Sequence, residues 1–228
     1  MAGIARKDPA EVASRLQAGA SSLGIVLDET QVLALGRFLD QLDLWNTRTN
    51  LVGEHDWRSL IDRHLVDALA AVPVLLQIGG QLRIADIGSG AGLPGVPLAV
   101  ALRPRAMWLI EPRKKRASFL RSVRRALPDI GLEVVEARGE EVAAVPENTA
   151  GFDAVVSRAT LSDDALRACA EPLLRNGGLL VAYRGTTDTV PADDALPSAA
   201  WTEPAVHRYV LSAARRTFRL DVWTRRFT

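Results

Sequence analysis

Asp86 and Gly88 stand two residues apart in the stretch "IADIGSGAGLPGVPLAV", and Gly90, Gly92 and Gly95 follow within seven more positions. Glycine lets a backbone turn tightly and approach a ligand where a Cβ would block it. An apolar strand-like run feeds this loop, and a helix-like run leaves it, so backbone N–H groups at the helix start face whatever the loop holds. Two fingerprints overlap here. Gly88-x-Gly90-x-Gly92 is the nucleotide loop of a methyl-donor site, and Gly90-x-Gly92-x-x-Gly95 is a literal dinucleotide motif. Glu111 closes the next strand-like run, "MWLIE". A carboxylate there can accept both ribose hydroxyls of an adenosine, a device shared by both enzyme classes. Asp86 does discriminate: that place is usually apolar in a nicotinamide dehydrogenase, whereas an acid there organises the loop and the amino group of S-adenosylmethionine.

The elements that must position these residues alternate. "LRIADI", "AMWLI", "LEVVEA", "FDAVVS" and "GLLVAY" are short apolar runs, separated by helical stretches over residues 97–102, 114–127 and 163–174. Such alternation predicts an α/β fold with a parallel sheet and helices on both faces, and ligands at the carboxyl ends of the strands. "AVHRYVL" and "RTFRLDVW" come without an intervening helix and predict an antiparallel pair closing one sheet edge. "RNGG" predicts a Gly-Gly turn leading into the strand "GLLVAY". Residues before about 77 are helical in pattern, with a capping box at Asp28 and Gln31, a stop at "NTRTN", and a helix from Trp57 to Leu76 broken at Pro73. We divide the chain into a helical N-terminal extension, 1–79, and a Rossmann-like domain, 80–228. The segment "TDTVPADDALPSA" reads as an exposed, mobile loop.

Composition excludes several classes. The 228 residues carry a net charge of only +1, and nearly all positive charge is arginine: Lys7, Lys114 and Lys115 are the only lysines. Cys169 is the single cysteine and the three histidines lie far apart in sequence, so neither an intrachain disulfide nor a metal cluster is expected. No run reaches the length of a membrane span, and the opening "MAGIARKDPAEV" lacks the apolar core expected of a signal peptide. A cytoplasmic monomer is expected.

Several motifs together resemble one family. "LWNTRTNLVG", "RHLVDAL", "IADIGSGAGLPGVPLAV", "LIEPRKKRASFLRSV", "ARGEEV", "FDAVVSRA" and "LLRNGGLLVAYRG" occur in the order found in the bacterial small-subunit (16S) ribosomal RNA guanine-N7 methyltransferases, the glucose-inhibited division protein B family. The resemblance covers roughly Asp40 to Gly185. It implies a class I S-adenosylmethionine-dependent fold with a seven-stranded, mostly parallel sheet. It also implies methyl transfer to guanine N7 in the 530 loop of small-subunit rRNA, as naked RNA or in the assembling subunit, with S-adenosylhomocysteine as product. By the same resemblance Gly88, Gly90 and Leu93 line the donor site, Glu111 binds the ribose, Gly139 and Glu140 flank the adenine, and Arg158 stands beside the donor and the incoming base. Arg138 and Arg184 match positions that hold RNA phosphates.

Other residues carry two readings. His64 and Asp67 share a helix face; the resemblance places them at the pocket, while the residues alone favour a structural hydrogen bond. Arg158 either positions the base or pairs with Glu111 or Asp153. Trp45, Asn46 and Asn50 follow a helix, where they would meet the target base or plug an interface. The run Arg113 to Arg125, with Lys114 and Arg121, has Phe119, Leu120, Val123 and Leu127 as its apolar face; its basic face either tracks RNA or is simply solvated. Two departures from the family stand out: Ala68 replaces a usual serine, and Arg184 a usual lysine. Beyond Gly185 the resemblance fades into "AARRTFRLDVWTRRFT", which leaves a paralogue with another RNA target as an alternative. A nicotinamide-dependent oxidoreductase is opposed by Asp86 and by the lack of a Tyr-x-x-x-Lys pair. A non-enzymatic RNA-binding protein is opposed by the intact loop and Glu111.

Overall fold

The computed structural model describes residues 7–54, 56–158, 161–185, 200–211 and 216–226; the acidic proline-rich segment 187–199 lies outside them. Seven strands form one sheet in the order β3-β2-β1-β4-β5-β7-β6. They are β1 (Arg83–Ile87), β2 (Ala106–Ile110), β3 (Leu132–Val135), β4 (Phe152–Arg158), β5 (Leu174–Arg184), β6 (Ala205–Leu211) and β7 (Arg216–Thr224). The first five pair in parallel. β7 pairs antiparallel with β5 and with β6, which takes the edge. All seven expected strands are present, and the topology is the expected one. The order reverses between β1 and β4, where an open α/β sheet leaves a crevice at its carboxyl edge.

Side chains alternate across the sheet, and each face has its own cover. Ala85 and Ile87 of β1, with Val155, Leu180 and Ala182, pack under α8 (Gly139–Ala143) and α9 (Asp163–Leu173). Ile84, Met107, Leu109, Val156 and Val181 face the other side, toward α6 (Gly95–Leu102) and α7 (Lys114–Ala126). The helices before β1 join that second core directly: Leu16 of α1 (Pro9–Ser22) and Leu35, Phe38 and Leu42 of α2 (Glu29–Thr49) belong to it. The expected capping box at Asp28 is formed, with Gln31 N donating to the Asp28 carboxylate and the Gln31 side chain accepting from Asp28 N. α2 ends at Thr49 with Asn50 in the left-handed region, φ 45°.

Three local expectations need correction. The helix expected over 57–76 is four pieces: α3 (Trp57–Leu60), a π-helical turn (Ile61–Leu65), α4 (Val66–Leu69) and α5 (Val72–Leu76). Pro73 does not break the last of these but sits in its first turn, where the missing N–H costs nothing. The Gly-Gly pair is not a turn before β5 but a bulge within it. β4 advances from Phe152 to Ala154 while β5 advances from Leu174 to Leu179. Gly177 takes φ 73° there, and a Cβ on Gly178 would stand 2.8 Å from Arg175 O. α8 has no counterpart in the expected elements; five residues give too little periodicity to read. Among the described residues, no helix is long and apolar enough to cross a membrane.

Candidate active site

The glycine loop starts where β1 ends. Gly88 N and Ser89 N both donate to Ile110 O of β2, at 2.9 and 3.1 Å. Gly88, Gly90 and Gly92 all have positive φ, at 75°, 56° and 75°, a conformation in which other residues are strained. The glycines nevertheless serve different ends. Gly92 is fixed by packing: a Cβ would stand 2.8 Å from Val96 and 3.2 Å from Leu120. Gly95 is the first residue of α6, and a Cβ there would meet Leu109 at 2.5 Å and Asp86 Oδ2 at 2.6 Å.

This resolves the overlap of fingerprints. In a dinucleotide site the helix N-terminus faces a pyrophosphate. Here Gly95 N donates to Asp86 Oδ2 at 3.0 Å, so a carboxylate of the chain already takes the place of the anion at this helix start. Asp86 is fully buried, and its Oδ1 has no hydrogen-bond partner among the described residues. Burial raises its pKa to about 7, against the lowering effect of the Gly95 N–H. A buried carboxylate oxygen without a partner is costly and matches a cationic group on a ligand. Ser89 Oγ caps the turn by donating to Asp86 O at 2.9 Å.

Glu111, 3% exposed, binds the loop from the neighbouring strand. Its Oε2 accepts from Gly90 N at 2.9 Å and its Oε1 from Arg113 N at 2.8 Å. An ionised carboxylate has about four acceptor sites, so each oxygen keeps capacity for a hydroxyl. Arg116 of α7 also lies over the loop, with Nη1 3.4 Å from where a Cβ on Gly90 would stand; in the sequence nothing sets it apart from the rest of the basic run. Leu93 is 3% exposed and packs in the larger core, so its side chain contributes to the loop's underside. Gly139 is required by contact, since a Cβ would stand 2.5 Å from Cys169 Sγ. Glu140 is exposed in the first turn of α8, and burial pushes the Cys169 thiol up to about 12, leaving it unreactive.

A second group of residues meets beside the loop. β4 is in parallel register with β1, Asp86 opposite Val156, so Arg158 lies level with Gly88. Ser157 Oγ donates to Ile87 O at 2.9 Å and fixes the two strand ends together. Arg158 pairs with neither Glu111 nor Asp153. The Glu111 oxygens serve the loop, and Asp153, at the other end of β4, accepts from Arg83 N and Arg175 Nε. Its partner is Asp67: Arg158 Nη1 donates to Asp67 Oδ2 at 3.2 Å, while Tyr209 OH donates to Asp67 Oδ1 at 2.6 Å. Burial raises the Asp67 pKa and the Arg158 charge opposes the rise. Tyr183 OH donates to Ala68 O at 2.6 Å, behind this cluster. These groups floor a cleft of ≈ 440 Å³ that also takes in His64 and Arg184.

His64 does not make the structural bond expected of it. It sits in the π-helical turn, both Asp67 oxygens are engaged elsewhere, and His64 Nε2 is buried with no partner among the described residues. Burial first, and the nearby Arg158 second, lower its pKa to about 4, so the ring is neutral near pH 7. Arg184 reaches the cleft, but its guanidinium is tied to Asp163 and, at 3.1 Å, to the fully buried Asp221; it is not presented to a phosphate as a loose cation. Trp45 takes the interface role, edge-on to Phe119 at 5.7 Å, and Asn46 is buried, bridging Glu54 O and Val52 N. Asn50 and Arg138 are exposed at helix ends, outside the cleft lining. Lys114 opens α7, exposed, and Arg121 pairs with Glu136 at 2.8 Å over the edge strand. The structure therefore unites Asp86, Gly88, Gly90, Glu111 and Arg158 at one edge, with His64 and Arg184 in the adjoining cleft.

Solved structures share this architecture. The bifunctional kinase-methyltransferase WbdD superposes with TM-score 0.56 at 13% identity over 79% of this chain and 45% of that one. A methyltransferase homolog protein from Pyrococcus horikoshii gives 0.51 at 15%, over 70% and 66%. Among sequences, the ribosomal RNA small subunit methyltransferase G of Desulfitobacterium hafniense is 36% identical over 164 residues, 72% of this chain and 67% of its own. That of Caldanaerobacter subterraneus is 34% identical over 167 residues, 73% and 70%. The family model for GidB, rRNA small subunit methyltransferase G, matches residues 31–207. The chain belongs to the rRNA small subunit methyltransferase G family.

Proposed function

We propose that the chain transfers a methyl group from S-adenosylmethionine to guanine N7 in the 530 loop of small-subunit rRNA, in the cytoplasm, on the RNA or the assembling subunit. The observation that carries this reading is the placement of the donor-type loop, bound by Glu111 through Gly90, level with Arg158 and its cleft. The residues present fit the donor. Glu111 retains acceptors for ribose hydroxyls, Gly88 and Gly90 offer backbone without a Cβ, and Asp86 Oδ1 has room in its bonding for an amino group. Bound there, the donor supplies an electrophilic methyl on a sulfonium.

What remains for the chain is to hold an acceptor. Guanine N7 has a lone pair and no proton, so no general base is required. His64, neutral near pH 7, and Asp67, engaged twice, are not needed for proton transfer. Alignment of N7 with the methyl and exclusion of water supply the rate; orientation of this kind is worth up to about 7–11 kcal/mol. Arg158, held by Asp67, positions the base or its phosphate.

Two measurements test the reading. S-adenosylhomocysteine binds by calorimetry and NAD does not. Small-subunit RNA carrying 7-deazaguanine at the acceptor position, which lacks N7, accepts no methyl, whereas the guanine RNA does. Methylation of the 7-deaza RNA at an undiminished rate overturns the N7 assignment.

A further inference from the structure

The Arg158 cleft has one wall that no family motif supplies. It is the β6–β7 hairpin, most of which lies beyond residue 207, where the family match ends. Tyr209 and Phe218 are register partners across the hairpin, and Leu211 pairs with Arg216. Cross-strand partners share a face, so all four point to one side, and all four line the cleft. The two rings lie nearly parallel, 23° apart with centroids 6.0 Å from each other, and both are half-buried. Arg216 is exposed at the end of this row.

We infer that this hairpin face is a nucleotide platform: a base flanking the target stacks on the Tyr209–Phe218 pair, and its backbone phosphate lies against Arg216. The inference rests on the reading of the chain as an RNA methyltransferase. Sequence-tolerant binding of single-stranded RNA uses aromatic faces beside a basic groove, and RNA loops present unstacked bases to such faces. Around the cleft Arg63 pairs with Glu54, Arg158 with Asp67, and Arg184 with Asp163 and Asp221, so exposed Arg216, which has no ion-pair partner among the described residues, is the cation left to meet a phosphate. The platform also connects to the chemistry. Tyr209 OH holds Asp67 Oδ1, and Asp67 Oδ2 holds Arg158, so a base seated on Tyr209 lies two side chains from the residue that positions the target. Burial and the adjacent Asp67 raise the Tyr209 pKa, which keeps the phenol a donor. The hairpin is thus assigned as an RNA-binding wall of the cleft.

The test uses the full chain saturated with S-adenosylhomocysteine. Affinity is read by filter binding against small-subunit rRNA and against small subunits from cells lacking the modification, and the tighter ligand is followed. Phe218→Ala is expected to raise the RNA Kd roughly ten-fold, within the range for loss of one base–aromatic stack, with the S-adenosylhomocysteine Kd unchanged. Phe218→Trp, which keeps a stacking face, retains the unsubstituted affinity. Arg216→Gln lowers the slope of log K against log salt by about one phosphate contact. RNA affinity unchanged in Phe218→Ala overturns the platform, and so does an equal loss in Phe218→Ala and Phe218→Trp, which marks Phe218 as packing alone. Methyl transfer by the unsubstituted chain is measured separately. Its absence refutes the RNA methyltransferase reading, whereas its presence with an intact Phe218→Ala affinity refutes only the platform.

Discussion

The glycine loop and the Arg158 cleft adjoin one another yet are built on opposite plans. The loop is local and closed: Asp86, Gly90, Gly95 and Glu111 lie within 26 residues, and their main bonds run between backbone N–H groups and two buried carboxylates. The cleft is remote and open. Asp67 receives Arg158 from 91 residues away and Tyr209 from 142, and so joins α4, β4 and the terminal hairpin. On the proposed reading, the contrast teaches that a donor site, which must hold one unvarying molecule, can be written into a short motif. An acceptor site is assembled from whatever elements reach it, and it can change at one wall without disturbing the other.

If the two regions are separable, lesions should sort cleanly. The largest effect is expected at the loop. Gly95→Val forces a side chain against Leu109 and Asp86 Oδ2 and should cost about 3 kcal/mol of stability, with loss of S-adenosylhomocysteine binding; chemical denaturation and calorimetry read both. Next come paired lesions. Glu111→Ala removes an acceptor bonded to Gly90 N of the loop and to Arg113 N before α7 and should weaken donor binding about 100-fold with RNA binding intact. Asp67→Ala leaves Arg158 and Tyr209 without their shared carboxylate and should lower the methyl-transfer rate with the donor Kd within two-fold. If either variant damages both ligands equally, the division fails.

Smaller effects come from the buried titrating groups. His64 has a folded pKa of about 4, below its ordinary value of 6.5. Its neutral form therefore favours folding above about pH 6.5, and stability should fall by about 3 kcal/mol as pH drops toward 4. His64→Gln should flatten that part of the pH–stability curve. Asp86 has the opposite sign. Its pKa is raised to about 7, so the fold is favoured at low pH, and that contribution is lost as pH rises from about 4 through 7. A donor ammonium beside Oδ1 prefers the ionised carboxylate, so S-adenosylhomocysteine should bind about ten-fold more tightly at pH 8 than at pH 6. Asp86→Asn should remove the dependence, and a flat profile in the unsubstituted chain would place the amino group elsewhere.

The same contrast explains what could be read from the sequence. All seven strands were legible because each is a short apolar run between helical or turn segments, and the loop was legible because its glycines and its acid are adjacent in the chain. Asp86 was singled out, but the role of Gly95 as its hydrogen-bond donor needed the structure, because a packing glycine and a phosphate-binding glycine look alike in one dimension. The cleft was mostly illegible. Nothing local marks Tyr209 as a partner of Asp67, and the hairpin resembles an ordinary closing edge. The family resemblance points Arg184 and the basic run with Arg121 toward RNA, whereas in the structure Asp163 and Asp221 bind the first and Glu136 the second. Charge in a sequence does not show which carboxylate will arrive from another strand. Trp45 fits two roles in the sequence, and only its edge-on packing against Phe119 marks the interface one.

The most direct test of the proposed activity is base-resolved mapping of N7-methylguanosine in small-subunit rRNA from cells lacking this gene. The account predicts that the modification disappears from the 530 loop and returns when the intact chain is supplied, but not when Glu111→Ala is supplied. Retention of N7-methylguanosine in the 530 loop of the deletion strain would contradict it.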